Sequence, residues 1–252
     1  MVFADDALWR PTEQLGESLL RAGFHIVTGG YSGTSEAVSF GASRAAAAAA
    51  GAAGAAPASS AVIAGITCPS AFAYTPRAGM SGPNQYLTSQ TVAPDLAARN
   101  AALVTGQTQP AAASAAAASS SSDAASASAA APVLVVLPGG LGTLAKLALA
   151  WNLAAVESWS ASGSGSVSGG SPIPHRVILA WRNPWASLLA TIGETLRIPP
   201  ELQACVRFVD SVEEVMEALE QIKAERMAAA AGAASSSSTG AGAGAGVGAP
   251  SK

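Results

Sequence analysis

Residues 133–144 read VLVVLPGGLGTL, and this stretch decides how the rest of the chain is interpreted. Its first five residues are aliphatic and mostly β-branched, which is typical of a strand buried on both faces of a sheet. A proline and three glycines then end the strand, and a helical pattern follows at once. That pattern predicts one apolar stripe along the helix, formed by Leu144, Leu147, Ala148, Trp151 and Ala155.

A strand, a glycine-rich turn and a helix in that order form a geometry that binds phosphate. Glycines let the backbone approach an anion, and the helix start offers N–H groups and the positive end of the helix dipole. Thr143 adds a hydroxyl donor there, or only caps the helix. The stretch is neither a Walker loop nor a Gly-x-Gly-x-x-Gly motif. Taken alone, it leaves open that the glycines merely form a tight turn between strand and helix.

A second unit of the same kind lies upstream and makes that alternative weaker. Residues 24–28 are predicted to form a strand, residues 29–34 (GGYSGT) a glycine-rich turn, and a helix follows from Ser35. In a parallel sheet both turns lie at the carboxyl ends of strands, where α/β sheets bind ligands. The predicted ligand-binding residues are Gly29, Gly30, Gly33, Thr34, Gly139, Gly140, Gly142 and Thr143.

Composition excludes several classes of function. The 252 residues carry a net charge of −3, which provides no basic surface for nucleic acid. Cys68 and Cys205 lie far apart, so we expect reduced structural thiols. No His, Cys and Asp residues have metal-ligand spacing, and we expect neither a metal nor a cofactor. The alanine-rich run 45–56 is too short for a membrane span and no targeting signal is recognisable, so we expect an intracellular protein, cytoplasmic or in an organelle.

The remaining elements alternate along the chain. Further helices are predicted at residues 12–22, 95–104, 185–196 and 212–227, and further strands at 61–67, 176–181 and 206–210. Residues 68–90 are predicted to form a long loop. Residues 1–227 are expected to form one domain, followed by a disordered tail at 228–252. Low-complexity insertions are predicted at residues 45–60, 106–132 and 160–171.

This alternation predicts an α/β fold with a doubly wound, mostly parallel sheet sandwiched by helices, the Rossmann-like arrangement. Such a sheet normally begins with a strand that becomes central, whereas this chain opens almost directly into a helix. The first strand is therefore expected to be missing. Either the sequence is incomplete at its start, or the sheet has a gap.

With its two glycine-rich turns and with Arg99 in the predicted helix 95–104, the chain resembles the LOG family, also called lysine-decarboxylase-like proteins. Its best-known members are cytokinin riboside 5′-monophosphate phosphoribohydrolases. Three segments carry the resemblance, namely residues 29–38 (GGYSGTSEAV), 95–100 (DLAARN) and 138–143 (PGGLGT). The third matches the start of the family signature Pro-Gly-Gly-x-Gly-Thr-x-x-Glu, and in the first segment Ser35 stands where the family usually has Met.

The resemblance implies that the loop amides hold the 5′-phosphate of a nucleoside monophosphate, while Arg99 and the signature glutamate act on the N-glycosidic bond. It also implies a homodimer. The chemistry needs a carboxylate, because water must be activated against an oxocarbenium-like transition state. Here Lys146 occupies the glutamate position and Ala145 precedes it. The next acidic residue, Glu157, lies roughly 16 Å further along the helix at about 1.5 Å per residue.

Lys146 has two interpretations. A lysine in the first turn of a helix opposes the dipole unless an anion is bound, so Lys146 either strengthens phosphate binding while weakening hydrolysis, or is a solvated lysine on a decayed site. Arg99 is a candidate contact to phosphate or ribose, against the alternative of a surface position on its helix. Glu36 is expected to cap or pair near a helix start, and His25 to be a hydrogen-bonded core or edge residue.

Three functions remain open from the sequence. The first is a phosphoribohydrolase-type protein with retained, weakened or lost activity. The second is a non-catalytic carrier of a phosphorylated ligand, similar to molybdenum-cofactor carrier proteins, which share this fold. The third is a scaffold that binds no small molecule.

Overall fold

A computed structural model of the chain describes residues 6–51, 62–68, 82–106, 132–163 and 177–237. Most of the predicted insertion 106–132, most of the insertion 160–171 and the end of the insertion 45–60 lie outside the described residues. The middle of the predicted loop 68–90 and residues 238–252 of the predicted tail also lie outside them.

Helices and strands alternate along the described chain. The helices are α1 (Trp9–Arg21), α2 (Thr34–Gly51), α3 (Leu96–Thr105), α4 (Leu141–Gly163), α5 (Arg182–Thr195), α6 (Pro200–Gln203) and α7 (Val212–Ser237). The strands are β1 (Ile26–Thr28), β2 (Ile63–Thr67), β3 (Ser89–Val92), β4 (Val133–Val136), β5 (Val177–Trp181) and β6 (Val206–Val209). The predicted helices and strands are confirmed within a few residues at their ends, except that α4 and α7 continue further than expected.

The six strands form two parallel sheets flanked by helices, with the orders β1-β2-β3 and β4-β5-β6. Ile26 pairs with Ile63 in the first sheet, and Val133 pairs with Val177 in the second. The α/β, Rossmann-like arrangement is thereby confirmed. The described strands form two separate sheets and not one continuous sheet. Among them, strands β1 and β4 are edge strands, since each has a hydrogen-bonded neighbour on one side only.

Strand β4 is less buried than its apolar sequence predicts. Only Val136 is buried, whereas the other residues of β4 are half-buried. The prediction that this strand is buried on both faces is therefore wrong for most of its length. The middle strand β5 meets that expectation, since Val177–Trp181 is buried at all positions but the last. The difference follows from position, because β4 ends the strand order of its sheet.

Strand β3 corrects the prediction of an uninterrupted loop over residues 68–90. Ser89 and Gln90 belong to this strand, which runs parallel to β2 with Ala64 opposite Ser89. Its sequence, SQTV, is polar, and three of its four residues are exposed. Such an edge strand has no apolar alternation that a sequence could reveal.

Two apolar clusters pack against the two sheets. The larger one covers β4 and β5 and includes Leu147, Trp151 and Trp185, while the smaller one is formed by Ile26, Val38, Ala42 and Ile63. The predicted stripe of α4 is confirmed at Leu147, Trp151 and Ala155 and is wrong at Ala148, which is exposed.

The chain divides into two compact units, Met1–Met216 and Glu217–Lys252. The first unit contains all six strands and both glycine-rich turns. In the described part of the second unit, helix α7 continues past Met227, where the sequence predicts its end, to Ser237. Among the described helices, none has both the length and the apolar content needed to cross a membrane.

Candidate functional site

The first turn (residues 29–34) follows β1 and passes close to the next strand. Gly30 and Gly33 have φ angles of +72° and +82°, in the left-handed region that side chains other than glycine rarely adopt. A Cβ atom at Gly30 would lie 2.9 Å from the Cγ2 atom of Thr67 at the end of β2. Glycine is therefore required at position 30 for both conformation and space.

Three consecutive carbonyl groups of the first turn accept hydrogen bonds from other parts of the fold. Arg99 Nη2 donates to the carbonyl of Gly29 at 2.7 Å, and the backbone N–H of Asn84 donates to that of Gly30 at 2.8 Å. The side-chain Nδ2 of Asn84 donates to the carbonyl of Tyr31 at 3.3 Å. Asn84 lies in the predicted loop, where no motif or spacing distinguishes it from its polar neighbours.

Arg99 is buried, with 8% of its surface exposed, so it is not a surface residue of its helix. Helix α3 begins at Leu96, after Asp95, whose carboxylate accepts the N–H of Ala98 at 2.7 Å. From this helix the Nε of Arg99 donates to the carbonyl of Ile66 at 2.8 Å. Its guanidinium lies 5.1 Å from the ring centre of Tyr31, a cation–π contact.

Burial lowers the pKa of Arg99, and the neighbouring Tyr31 and Cys68 oppose that shift. The hydroxyl of Tyr31 is itself fixed, since it donates to the carbonyl of Cys68 and accepts the N–H of the same residue, both at 2.7 Å. Arg99 therefore connects the end of β2 with the first turn through a rigid set of contacts.

The second turn (residues 138–143) follows β4 and runs into α4. Gly139, Gly140 and Gly142 are exposed, and the N–H of Thr143 donates to the carbonyl of Gly140 at 2.9 Å. A Cβ atom at Gly139 would overlap the hydroxyl oxygen of Thr143. The turn thus brings the Thr143 hydroxyl against the Gly139 backbone, which only glycine permits.

Lys146 lies in the second turn of α4, because the helix begins at Leu141, and not in its first turn as the sequence predicts. Its Nζ reaches back and donates to the carbonyl of Gly142 at 2.6 Å. Burial, and to a smaller extent the positive charge of Arg99, together lower the pKa of Lys146 to about 8. A fully solvated lysine does not fit this environment.

Arg99 and Lys146 carry the charge of the site. Among the described residues, neither cation forms an ion pair with a carboxylate, and the charge of Arg99 contributes to the lowered pKa of Lys146. Arg99 bonds to the first turn and Lys146 bonds to the second, so each turn has one cation beside it. Uncompensated, partly buried positive charges favour the binding of an anion.

The remaining candidates lie where their local sequence predicts. Glu36 is half-buried in the first turn of α2, and Thr34 is the first residue of the same helix. His25 is exposed at the edge of the sheet, and its Nδ1 accepts the N–H of Val62 at 3.1 Å, so it is a hydrogen-bonded edge residue. Within the described ranges, no three His, Cys, Asp or Glu residues are grouped closely enough to hold a metal ion.

Comparisons with known proteins leave the family undetermined. No family model matches the sequence, and no curated protein matches it. Among solved structures, the chain is similar to TM1055, a target of the Northeast Structural Genomics Consortium, at 16% identity and a TM-score of 0.49. The similarity covers 85% of this chain and 88% of TM1055.

Proposed function

We propose that this chain binds a nucleoside 5′-monophosphate, such as AMP or a cytokinin ribotide, or a similar phosphorylated small molecule, between its two glycine-rich turns. We further propose that it is a phosphoribohydrolase-type protein in which Lys146 weakens or abolishes hydrolysis. The observation that carries the proposal is the pair of cations, Arg99 on the first turn and Lys146 on the second, neither of which has a carboxylate partner in the described chain.

The phosphate group suits this pair better than a neutral ligand does. Two positive charges near each other in a partly buried place cost free energy, and an anion with two negative charges relieves both their repulsion and their desolvation. Exposed glycines at positions 139, 140 and 142 leave the backbone of the second turn accessible at the start of α4. The N-terminus of this long helix adds N–H donors and a favourable dipole.

The same charges oppose glycoside hydrolysis. An oxocarbenium-like transition state is positive, and a carboxylate normally stabilises it and activates water. Lys146 places an ammonium group where the family resemblance expects the glutamate. The change therefore favours binding of the phosphate while disfavouring cleavage of the N-glycosidic bond.

The test is a calorimetric titration of the full chain with AMP, compared between the wild type, Lys146→Ala and Lys223→Ala. Lys223 is an exposed lysine of α7 and provides the matched control. We expect Lys146→Ala to bind AMP about tenfold more weakly, the loss expected for one charge-assisted hydrogen bond. An unchanged affinity of Lys146→Ala would reject the anion-binding role of Lys146. If AMP neither binds to the wild type nor raises its melting temperature, the binding function itself is rejected.

The lack of a carboxylate partner for Lys146 also favours a second function, a carrier that holds a phosphorylated ligand without cleaving it. Chromatography of AMP incubated with the protein separates the two functions. Release of free adenine identifies an enzyme, whereas retention of intact AMP identifies a carrier. In Lys146→Glu we expect adenine release to increase, because the variant restores the carboxylate that the chemistry requires.

A further inference from the structure

We propose that the side-chain amine of Lys146 forms an imine with the aldehyde group of a phosphorylated sugar in its open-chain form. A pentose 5-phosphate belongs to this class, since it is the sugar part of a nucleoside 5′-monophosphate and carries an aldehyde at C1 once the base is absent. This inference rests on the proposed function, because the phosphate is held at the same site. It goes beyond reversible binding by giving Lys146 a covalent reaction.

The amine of Lys146 is held in one place beside the second turn. Its Nζ reaches back along α4 and donates to the carbonyl of Gly142 at 2.6 Å. A neutral amine has one lone pair besides its N–H bonds, and tetrahedral geometry directs that pair away from the hydrogen bond that the amine donates. The lone pair therefore does not point at the Gly142 carbonyl, and it is available to an incoming carbonyl carbon.

The second turn is open on the side where this amine lies. Gly140 and Gly142 are exposed, and a Cβ atom at Gly140 would meet nothing within 4 Å. Apart from its chain neighbours and the backbone of its own helix, a Cβ atom at Gly142 would meet only the Nζ of Lys146, at 3.9 Å, in the described chain. The amine thus borders the exposed backbone of the turn, where a small ligand has room.

The surroundings of Lys146 do not hold it in the charged form. No carboxylate of the described chain pairs with it, and burial, with a smaller effect of Arg99, lowers its pKa to about 8. The neutral amine is the nucleophile, and desolvation or a neighbouring cation is the usual way in which a protein activates a lysine. Part of the Lys146 population is therefore reactive near neutral pH, whereas an ordinary lysine is almost fully protonated there.

The reaction consumes only the amine and the aldehyde and releases water. The nitrogen lone pair attacks C1 and forms the N–C bond, while the carbonyl oxygen takes up a proton and the nitrogen gives one up. The C–O bond then breaks, the oxygen leaves as water with the second nitrogen hydrogen, and a C=N bond forms. No oxidant or reductant is required, and addition of water reverses each step.

The experiment incubates the full chain with ribose 5-phosphate and sodium cyanoborohydride, a reagent that reduces an imine to a stable secondary amine. The chain has three lysines, Lys146, Lys223 and Lys252, so peptide mass mapping assigns each adduct to one residue. Ribose is the matched control compound, because it offers the same aldehyde without the phosphate. Lys223, an exposed lysine of α7, is the control within the molecule.

We expect ribose 5-phosphate to modify Lys146 about tenfold faster than Lys223, because more of its amine is neutral and the phosphate is bound beside it. Ribose should lack this preference, and an excess of AMP should suppress the modification of Lys146. In Lys146→Arg, which keeps a cation and lacks the reactive amine, labelling of the whole protein should fall to the rate of Lys223. The matched variant Lys223→Arg should retain the fast labelling.

The decisive comparisons use the wild type, so they do not depend on the folding of a variant. A wild type that binds AMP, but whose Lys146 reacts no faster than Lys223, would overturn this inference and leave the proposed function standing. Equal labelling of Lys146 by ribose and ribose 5-phosphate would also overturn it, since no phosphate would then be held near the amine. A wild type that neither binds AMP nor reacts at Lys146 would overturn the proposed function, and this inference with it.

Discussion

Lys146 combines a stability cost with the anion-binding role that we propose for it. Its ammonium group is partly buried near the guanidinium of Arg99, and the hydrogen bond to the Gly142 carbonyl compensates only part of its desolvation. Positive charges in such a place destabilise the ligand-free protein, and they are retained where a ligand uses them. Because the pKa of Lys146 is lowered, the stability of the ligand-free protein and its affinity for an anion should both change with pH, and both can be measured.

The affinity for AMP should fall as the pH rises through about 8. Lys146 is charged below its pKa of about 8 and neutral above it, while the phosphate of AMP stays doubly negative over this range. Bound phosphate raises the pKa of the lysine, so binding takes up a proton and weakens as protons become scarce. Calorimetric titrations at several pH values between 7 and 9.5 measure the effect. In Lys146→Ala the step around pH 8 should be absent, and a step that persists there would assign it to another group.

The ligand-free variant Lys146→Met should be more stable than the wild type at pH 7. A pKa lowered by folding means that the unfolded chain binds the proton more tightly, so the free energy of unfolding of the wild type rises between about pH 8 and 10.5. The variant has no charge to desolvate, and its stability should be flat over that range. We expect its melting temperature at pH 7 to be higher by about 2–4 °C, the size of roughly 1 kcal/mol in a chain of this length. A lower melting temperature would show that the bond to Gly142 outweighs the cost of the charge.

At the scale of elements, α1 and α2 are in contact through two glycines. A Cβ atom at Gly16 would overlap the backbone carbonyl of Val38, and one at Gly41 would overlap the backbone carbonyl of Glu13. The two helix backbones therefore touch where no side chain intervenes. Arg44 and Glu13 add an ion pair beside this contact.

Gly16→Ala and Gly41→Ala should each destabilise the protein, although alanine favours a helix by about 1 kcal/mol. The overlap is with backbone atoms, which cannot move without separating the helices, and overpacking of this kind costs about 1–3 kcal/mol or more. Gly51→Ala, at the end of α2 where nothing lies within 4 Å of a Cβ atom, is the matched control and should be neutral or stabilising. Urea unfolding at constant m value measures the three changes. Equal midpoints for all three variants would contradict the close helix contact.

The elements differ in how far the sequence could predict them. The helix at α1 and the strand at β5 have strong apolar patterns, and both are found where expected. Strand β3 has no apolar pattern. It is held by hydrogen bonds to β2, which no local sequence pattern encodes. The order of strand, glycines and helix in the sequence predicts the two glycine-rich turns. It does not predict Asn84, since the contacts of Asn84 with Gly30 and Tyr31 depend on the path of the chain between β2 and β3.

At the scale of the whole molecule, the low-complexity segments separate elements that the fold brings together. Helix α3 ends at Thr105, and Gly106 caps it with a φ of +70° and an N–H bond to the carbonyl of Ala102. A Cβ atom at Gly106 would lie 3.0 Å from the Cβ of Pro132, the residue before β4. The two ends of the predicted insertion therefore adjoin each other, which composition alone could not show.

Replacing residues 107–131 with Gly-Ser-Gly-Ser should leave both the fold and AMP binding intact. Because the ends of the segment are already together, the short linker spans them without strain, and closing a shorter loop costs less conformational entropy. We expect a gain of about 1–2 kcal/mol in the free energy of unfolding, measured by urea titration. A version of the chain with residues 107–131 in scrambled order serves as the control and should match the wild type. Loss of AMP binding in the shortened chain, with the scrambled chain unaffected, would show that the length of this segment contributes to the site between Arg99 and Lys146.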